Sequence, residues 1–425
     1  MLDSDSTFEK AKEHFLIGLD YISKERWVDA EQELRRSLDF IPNRVSTMTN
    51  LCATLIKLQK FQEAHYFIEK TKTLDPENPE LHLNQGLLFS EEKRHEEALT
   101  SYDRSIELKP DYAEAHWNKS LALLRCGLYS EGWYLYEWRW QCDSFNSPRR
   151  DFIQPLWSGE HPIAGKTILL HAEQGLGDTI QFCRYAKLIA SRGAKVIVEV
   201  QKPLINIFKT LGEAITVVAK GDVLPKFDCH CPLLSLPLAF KTDLNTIPAD
   251  IPYLFPDDKK LQEWSIKVGI KKKIRIGIVW GGSTQHKNDK NRSTSALEIS
   301  KLLTNSFEWF SLQKEYRDGD RHMLERSKVN DYSNVLLDFS DTAALIYQLD
   351  LVISVDTSVA HLAGAMGKPT WVMLPYVPDF RWLWDREDSP WYPSMRLFRQ
   401  ATAGDWSHVV DNVSSALLKR YNVIC

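Results

Sequence analysis

The chain has no stretch approaching 18 uninterrupted apolar residues, which excludes a membrane-spanning helix. It has no charge excess: 53 basic residues stand against 57 acidic ones, for a net charge of −4. That balance leaves no electrostatic footprint for nucleic acid. Cysteine is scarce, and seven scattered copies are an odd count. A disulfide framework is therefore not expected, and a reducing compartment is. The opening MLDSDSTFEKAKEH is polar and acidic, which predicts neither a signal nor a transit peptide and points to the cytoplasm. Cys229-His230-Cys231 is the cluster that invites a metal. It follows a strand-like segment and has no partner pair at ligand spacing, and zinc wants four ligands, so no metal is predicted. What remains is 425 residues, 43% of them hydrophobic, enough for about three structural units with real cores.

What is abundant is periodicity. Pro42, Pro76 and Pro110 lie 34 residues apart. Ala30, Ala64 and Ala98 keep the same beat, with Gly132 in the fourth place. Gly18, Cys52, Gly86 and Ser120 form a second small-residue phase, and Asn50, Asn84 and Asn118 a third marker. Two antiparallel helices approach closely only where facing residues are small, and a proline closes each unit because it cannot continue a helix. This pattern resembles the tetratricopeptide repeat. An α-solenoid of about four helical pairs is expected over residues 1–145, ending in an aromatic helix from Glu131 to Arg139. Trp133, Tyr134, Tyr136, Trp138 and Trp140 read as a seam onto a following domain, or alternatively as an aromatic ligand groove.

A linker with Pro148, Pro155 and Pro162 occupies 146–165, its Leu156 and Trp157 expected to pin it to a surface. From Lys166 the pattern becomes strand, glycine turn, helix, strand. TILLHA (167–172), KVIVEV (195–200) and ITVVA (215–219) are short apolar runs typical of buried parallel strands. A second series follows: IRIGIVW (274–280), WFSLQ (309–313), NVLLDF (334–339), LVISVD (351–356) and TWVMLP (370–375). Asp341 is expected to cap a helix running to Leu349, and Thr357-Ser358 to open one ending at Gly367. The fold class is α + α/β: a helical solenoid, then two Rossmann-like doubly wound domains over 166–258 and 259–425. Ligands of such sheets bind beyond the carboxyl ends of the strands.

Two such halves with these turns resemble the glycosyltransferase B-type (GT-B) fold. VDTSVAHLAGAMGKP (355–369) is similar to the segment of bacterial heptosyltransferases that grips the donor diphosphate. GLGDTIQF (175–182) is similar to their N-domain loop, with an aspartate at this position. GIVWGGSTQHKNDKNRS (277–293) with SLQKEY (311–316) resembles the C-domain of bacterial proteins that fuse this transferase to tetratricopeptide repeats. The layout also resembles protein O-linked N-acetylglucosamine transferases. In heptosyltransferases a histidine is common three residues after the loop aspartate; here that residue is Gln181, which puts heptose as the sugar in doubt.

The chemistry follows from the residue types. A nucleotide-sugar donor leaves as a diphosphate, and a helix N-terminus with cations can stabilise it without metal or other cofactor. Asp356, Thr357 and Ser358 leave a strand and enter a helix, with His361 one turn on; His361 is a phosphate ligand or a core histidine. Lys287, Lys290 and Arg292-Ser293 lie on the loop after Trp280-Gly281, as phosphate-reaching cations or a solvated polar loop. Asp178 is a candidate base for the acceptor hydroxyl, or merely the cap of its own helix. Gly175 and Gly177 would let the backbone pass close to the sugar, beside Gln181. Gln313, at a strand end, is placed to contact the base by position alone. Trp382, Trp384, Trp391 and Tyr392 either stack on ligand or pack the C-terminal helix (406–418) back on the N-domain. The expected function is a metal-independent, inverting glycosyltransferase whose repeats recruit a protein or peptide acceptor. The rivals are an inactive interaction scaffold and a glycan- or lipid-core transferase that uses its repeats for assembly.

Overall fold

The computed structural model describes residues 4–145 and 147–422. The chain divides into two compact units, residues 1–145 and 146–425. Asn146, where the sequence pattern changes, lies outside the described residues.

The first unit is four helical pairs: α1 (Ser4–Ser23) with α2 (Trp27–Phe40), α3 (Val45–Lys57) with α4 (Phe61–Leu74), α5 (Pro79–Glu91) with α6 (His95–Leu108), and α7 (Ala113–Arg125) with α8 (Tyr129–Tyr136). The phase-locked small residues sit where helices touch. A Cβ on Gly18 would stand 2.9 Å from the Leu34 side chain, and one on Gly86 2.5 Å from the Tyr102 ring. Ala30, Ala64 and Ala98 are fully buried, and Cys52 and Ser120 nearly so. The prolines fall just past α2, α4 and α6. His82 and His116, 34 residues apart, each donate through Nε2 to the carbonyl of the proline six residues earlier, at 2.9 Å. A further periodic feature is conformational: Glu25, Gln59, Lys93 and Gly127 all have positive φ in the turn inside each pair. Three of the four are not glycine, so composition does not reveal them.

The asparagine marker is not one feature. Asn50 and Asn118 bond the carbonyls four residues back in their own helices, whereas Asn84 is buried and ties α5 to the Thr49 carbonyl of α3 at 2.9 Å. The aromatic run is shorter as an α-helix than expected. α8 ends at Tyr136 and a 3₁₀ turn, Glu137–Gln141, follows. Trp138 stacks on His116 of α7 at 4.0 Å, and Trp140 packs with Trp117 and Phe145, while Tyr134 is exposed.

The second unit holds two all-parallel sheets. The first has β1 (Thr167–His171), β2 (Lys195–Val200), β3 (Ile215–Ala219) and β4 (Cys229–Pro232) in the order β3-β2-β1-β4. The second has β5 (Arg275–Val279), β6 (Glu308–Ser311), β7 (Val329–Asp331), β8 (Leu351–Val355), β9 (Thr370–Leu374) and β10 (Met395–Arg399) in the order β10-β9-β8-β5-β6-β7. Its strand order reverses between β5 and β8, and the first sheet's between β1 and β4. Such switch points leave a crevice at the carboxyl ends. The linker does reach a surface: Leu156 bridges to His230 at the edge of the first sheet, and Trp157 is buried against Phe240.

Three expectations are corrected. Residues 334–339 form no strand; the third strand of that sheet is β7, and Asp338, not Asp341, caps the helix Phe339–Tyr347. Asp341 is instead buried, accepting from Lys260 Nζ and Trp264 Nε1. The C-terminal helix Trp406–Tyr421 packs on the second sheet: its Val409, Val410, Val413 and Leu417 share a core with Trp309, Trp371 and Phe398. Cys229-His230-Cys231 is itself β4, with His230 Nδ1 3.2 Å from His171 Nε2. Among the described residues, no group of three or more His, Cys, Asp or Glu side chains is arranged to hold a metal ion. No described helix is long and apolar enough to cross a membrane.

Candidate active site

After β1 the chain turns through Gly175 into the helix Leu176–Phe182. Gly175 is its N-cap, and Asp178 reaches back so that Oδ2 accepts the Gly175 N–H at 3.0 Å. Asp178 thus helps to cap its own helix, which leaves the base reading open. Its other oxygen has a second partner that the sequence did not reveal: Arg381 Nη2 donates to Asp178 Oδ1 across the unit. Arg381 Nη1 donates to Asp379 Oδ1 at 2.6 Å. Neither glycine of the turn has positive φ. They serve close approach: a Cβ on Gly175 would press on the Asp178 carboxylate at 3.0 Å, and one on Gly177 would stand 2.8 Å from His361 Cδ2. What passes closest to Gly177 is therefore the facing helix, not open space for a sugar.

That helix, Ser358–Ala365, follows β8 with Thr357 as N-cap. No side chain caps it, since Thr357 Oγ1 is engaged with Ser354 Oγ at 3.0 Å. Its first amides receive no bond from the N-cap side chain, and a helix dipole favours an anion at such an end. Of the two readings of His361, phosphate ligand or core histidine, its surroundings match the second. It is buried, Nδ1 lies 3.0 Å from the Tyr392 hydroxyl, and its ring stacks on Trp382. Burial first, then the cation of Arg381, pushes its pKa down to about 3, so the imidazole is neutral at pH 7. Asp356, with Oδ1 3.8 Å from His361 Nε2, moves the other way: burial and the nearby Asp379 raise its pKa to about 6. Trp382, Trp391 and Tyr392 are fully buried, Trp391 packing edge-on against Phe182. The aromatic segment, rather than the C-terminal helix, joins the two halves.

The loop after β5 supplies the cations. The Arg292 guanidinium lies against Gly282, where a Cβ would stand 2.5 Å from Nη2. Its Nε is buried without a hydrogen-bond partner, 3.7 Å from Asp289 Oδ1. Ser293 Oγ accepts from Gly282 N at 3.0 Å and donates to Asp289 at 2.8 Å. Arg317 pairs with the other oxygen of Asp289. Lys287 and Lys290 are exposed on the same loop. Burial first, then the cation of Arg292, lowers the His286 pKa, with Asp379, Asp178 and Asp289 acting the other way. Arg381, Asp379, His286 and Arg317 are the members that sequence reading missed.

Three expected ligand contacts are corrected. Gln313 spends its amide on backbone: Oε1 accepts from Trp280 N and Gly281 N, and Nε2 donates to Gly281 O at 2.8 Å and Glu315 O at 2.9 Å. It shapes the loop and has no donor or acceptor to turn toward a base. Trp280 is core, its indole donating to Asp320 and stacking on Tyr316. Gly281, held by those bonds, contributes backbone. Gln181 is fully buried and presents no surface to a donor, and neither atom of its amide has a hydrogen-bond partner.

Comparison with known proteins gives matches on both sides of this division. Residues 86–127 match the model of a tetratricopeptide repeat family. Residues 323–373, which include β8 and the Asp356–His361 segment, match glycosyltransferase family 9, the heptosyltransferases. Protein FlbA of Caulobacter vibrioides is 22% identical over 445 aligned positions, covering 88% of this chain and 73% of that protein. Among solved structures, the Arabidopsis OM64 TPR domain is 18% identical, covering 27% of this chain and 96% of its own, with a TM-score of 0.26. MamA protein is 22% identical, covering 31% and 71%, also at 0.26. The family match supports a glycosyltransferase.

Proposed function

We propose that the chain is a metal-independent, inverting glycosyltransferase that moves a sugar from a nucleotide-sugar donor to a hydroxyl of a protein acceptor recruited by the repeats. The observation that carries this reading is the contact of the two loops. Gly177, next to Asp178, lies against His361 and Ser358 at the helix start that no side chain caps, which sets the Asp178 loop beside the amides that would receive the diphosphate. The donor diphosphate would lie on the amides of the helix Ser358–Ala365, with Arg292 as the balancing cation. Asp178 takes the acceptor proton as the acceptor oxygen forms its bond to the anomeric carbon. The carbon–oxygen bond to phosphate breaks on the opposite face, and the nucleoside diphosphate leaves with the electron pair. The developing charge is met by the helix amides and Arg292.

The test is a panel of nucleoside diphosphates titrated by calorimetry with and without a chelator, alongside the Asp178→Asn variant. Asparagine keeps an oxygen for the Gly175 N–H, so the cap survives. Binding should persist with chelator present and in the variant, while turnover of the matching nucleotide sugar falls on the order of a hundredfold. Strict magnesium dependence of binding, or near-parent turnover by the variant, would sink the reading.

A further inference from the structure

Arg381 is an expensive residue to bury, and the structure buries it between two carboxylates. It is 7% exposed, with its guanidinium 4.3 Å from the Phe380 ring centroid and 5.7 Å from that of Phe182. Asp379, two residues away, would suffice to neutralise it. Instead the fork spans both: Nη1 bonds Asp379, and Nη2 bonds Asp178, which belongs to the other half of the unit. Asp178 in turn has each oxygen fixed by a different donor, Oδ2 by the Gly175 amide and Oδ1 by Arg381. A planar guanidinium with fixed donors orients a carboxylate in a way that an ammonium does not. The backbone around Arg381 is also constrained. Leu383, which ends the 3₁₀ turn Phe380–Trp382, has φ 54° and ψ −177°, a region that only glycine visits freely. Asp379 Oδ1 further accepts the Arg381 backbone N–H at 3.1 Å, so main chain and side chain are held by the same carboxylate.

We propose that Arg381 is a positioning residue for Asp178. It locks the carboxylate in one orientation, and because it stands on the second sheet's side while Asp178 stands on the first's, it makes that orientation depend on the two halves being in place together. Asp379 bonds the guanidinium directly, while Asp356 and His361 feel its charge and His286 feels that of Asp178. Arg381 therefore acts through Asp178 rather than on the donor. The kinetic consequence rests on the glycosyltransferase reading; the orienting contact does not.

Two measurements on the full chain separate these. The first is amide hydrogen exchange. Arg381→Met should raise exchange over residues 173–182 about tenfold or more, with β5 and β8 unchanged, and Arg381→Lys should raise it less. If two unpaired carboxylates prevent folding, Arg381→Met with Asp379→Asn restores charge balance and serves instead. Unchanged exchange at Gly175 in a folded variant overturns the proposal. The second is turnover of UDP-, GDP-, ADP- and dTDP-linked sugars. Arg381→Met should lower kcat about tenfold or more with the donor KM little changed, and free guanidinium should restore part of it. In an Asp178→Asn background the same substitution should cost nothing further. A loss that is equal in both backgrounds, or confined to KM, overturns the proposal. No turnover by the parent protein with any donor would sink the glycosyltransferase reading, and the exchange arm would still decide the contact.

Discussion

His361 and Asp356 titrate in opposite senses 3.8 Å apart, and their signs can be separated by pH. The His361 pKa falls from its ordinary 6.5 to about 3, chiefly by burial. Below pH 6.5 the unfolded chain binds a proton there that the folded one refuses, so this group's contribution to stability is complete above 6.5 and is lost as pH falls toward 3. The Asp356 pKa rises to about 6, chiefly by burial and then by Asp379. Its contribution is complete below its ordinary value of about 4 and is lost as pH rises through 6. Between pH 4 and 6 the two oppose. Asp356→Asn should therefore stabilise the second unit at pH 8, by a margin that shrinks toward pH 4. His361→Gln should flatten the acid side by up to about 1.4 kcal/mol per pH unit. Denaturant titrations at pH 4.5, 6 and 8 check both. A variant at Asp356 whose margin grows toward low pH would contradict the assignment.

Three of the four helix pairs approach closely at a glycine, Gly18, Gly86 or Gly132, but the neighbours differ. At Gly86 an added Cβ meets the Tyr102 ring at 2.5 and 2.6 Å; that ring is buried, and its hydroxyl lies 3.1 Å from Ser90 Oγ, so it cannot retreat. At Gly18 the obstacle is the Leu34 side chain at 2.9 Å, also buried but aliphatic, with no hydrogen bond to hold it in place. Alanine gains about 0.5–1 kcal/mol over glycine in a helix interior, while overpacking costs about 1–3. Gly86→Ala should be net destabilising and should lower the repeat unit's thermal transition more than Gly18→Ala does. A rise in that transition for Gly86→Ala would refute the close-packing account. Elements whose signal is local were legible: the 34-residue beat, and β2 and β3 to their observed ends, because a buried parallel strand is a short apolar run. β10 was missed because MRLFR mixes charge with apolar residues at a sheet edge, and NVLLDF misled because only Leu336 of its Val335-Leu336-Leu337 run is buried, in a turn rather than a strand. Arg381 was missed because its partner lies 203 residues away, where no spacing rule reaches.

At the scale of the whole molecule, the two units draw their core clusters from separate stretches of chain. Leu34 to Leu88 and Leu83 to Ala122 serve the repeats, and Ile276 to Leu417 serves the second sheet. Recruitment and chemistry, on the proposed reading, should then be separable by mutation. Asn84 is no probe of recruitment, since its bond to Thr49 holds α3 against α5. Better positions recur at the 34-residue period on the first helix of each pair and reach solvent: Ser46, Asn50, Ala53 and Lys57 on α3, and Glu114, Leu121 and Arg125 on α7. Ala53→Arg with Leu121→Arg places two cations on that face at positions that are only partly buried. If a protein acceptor docks there, its kcat/KM should fall about tenfold or more, since truncating or blocking a few central contacts carries most of a binding energy. Donor hydrolysis without acceptor should stay at the parent rate. Combined with Asp178→Asn, the two losses should add on a logarithmic scale, as they do for sites with no shared partner. Glycosylation of the acceptor at the parent rate by the folded double-arginine variant would remove recruitment from this face. A loss that appears equally in acceptor-free hydrolysis would show instead that the repeats support the transferase fold.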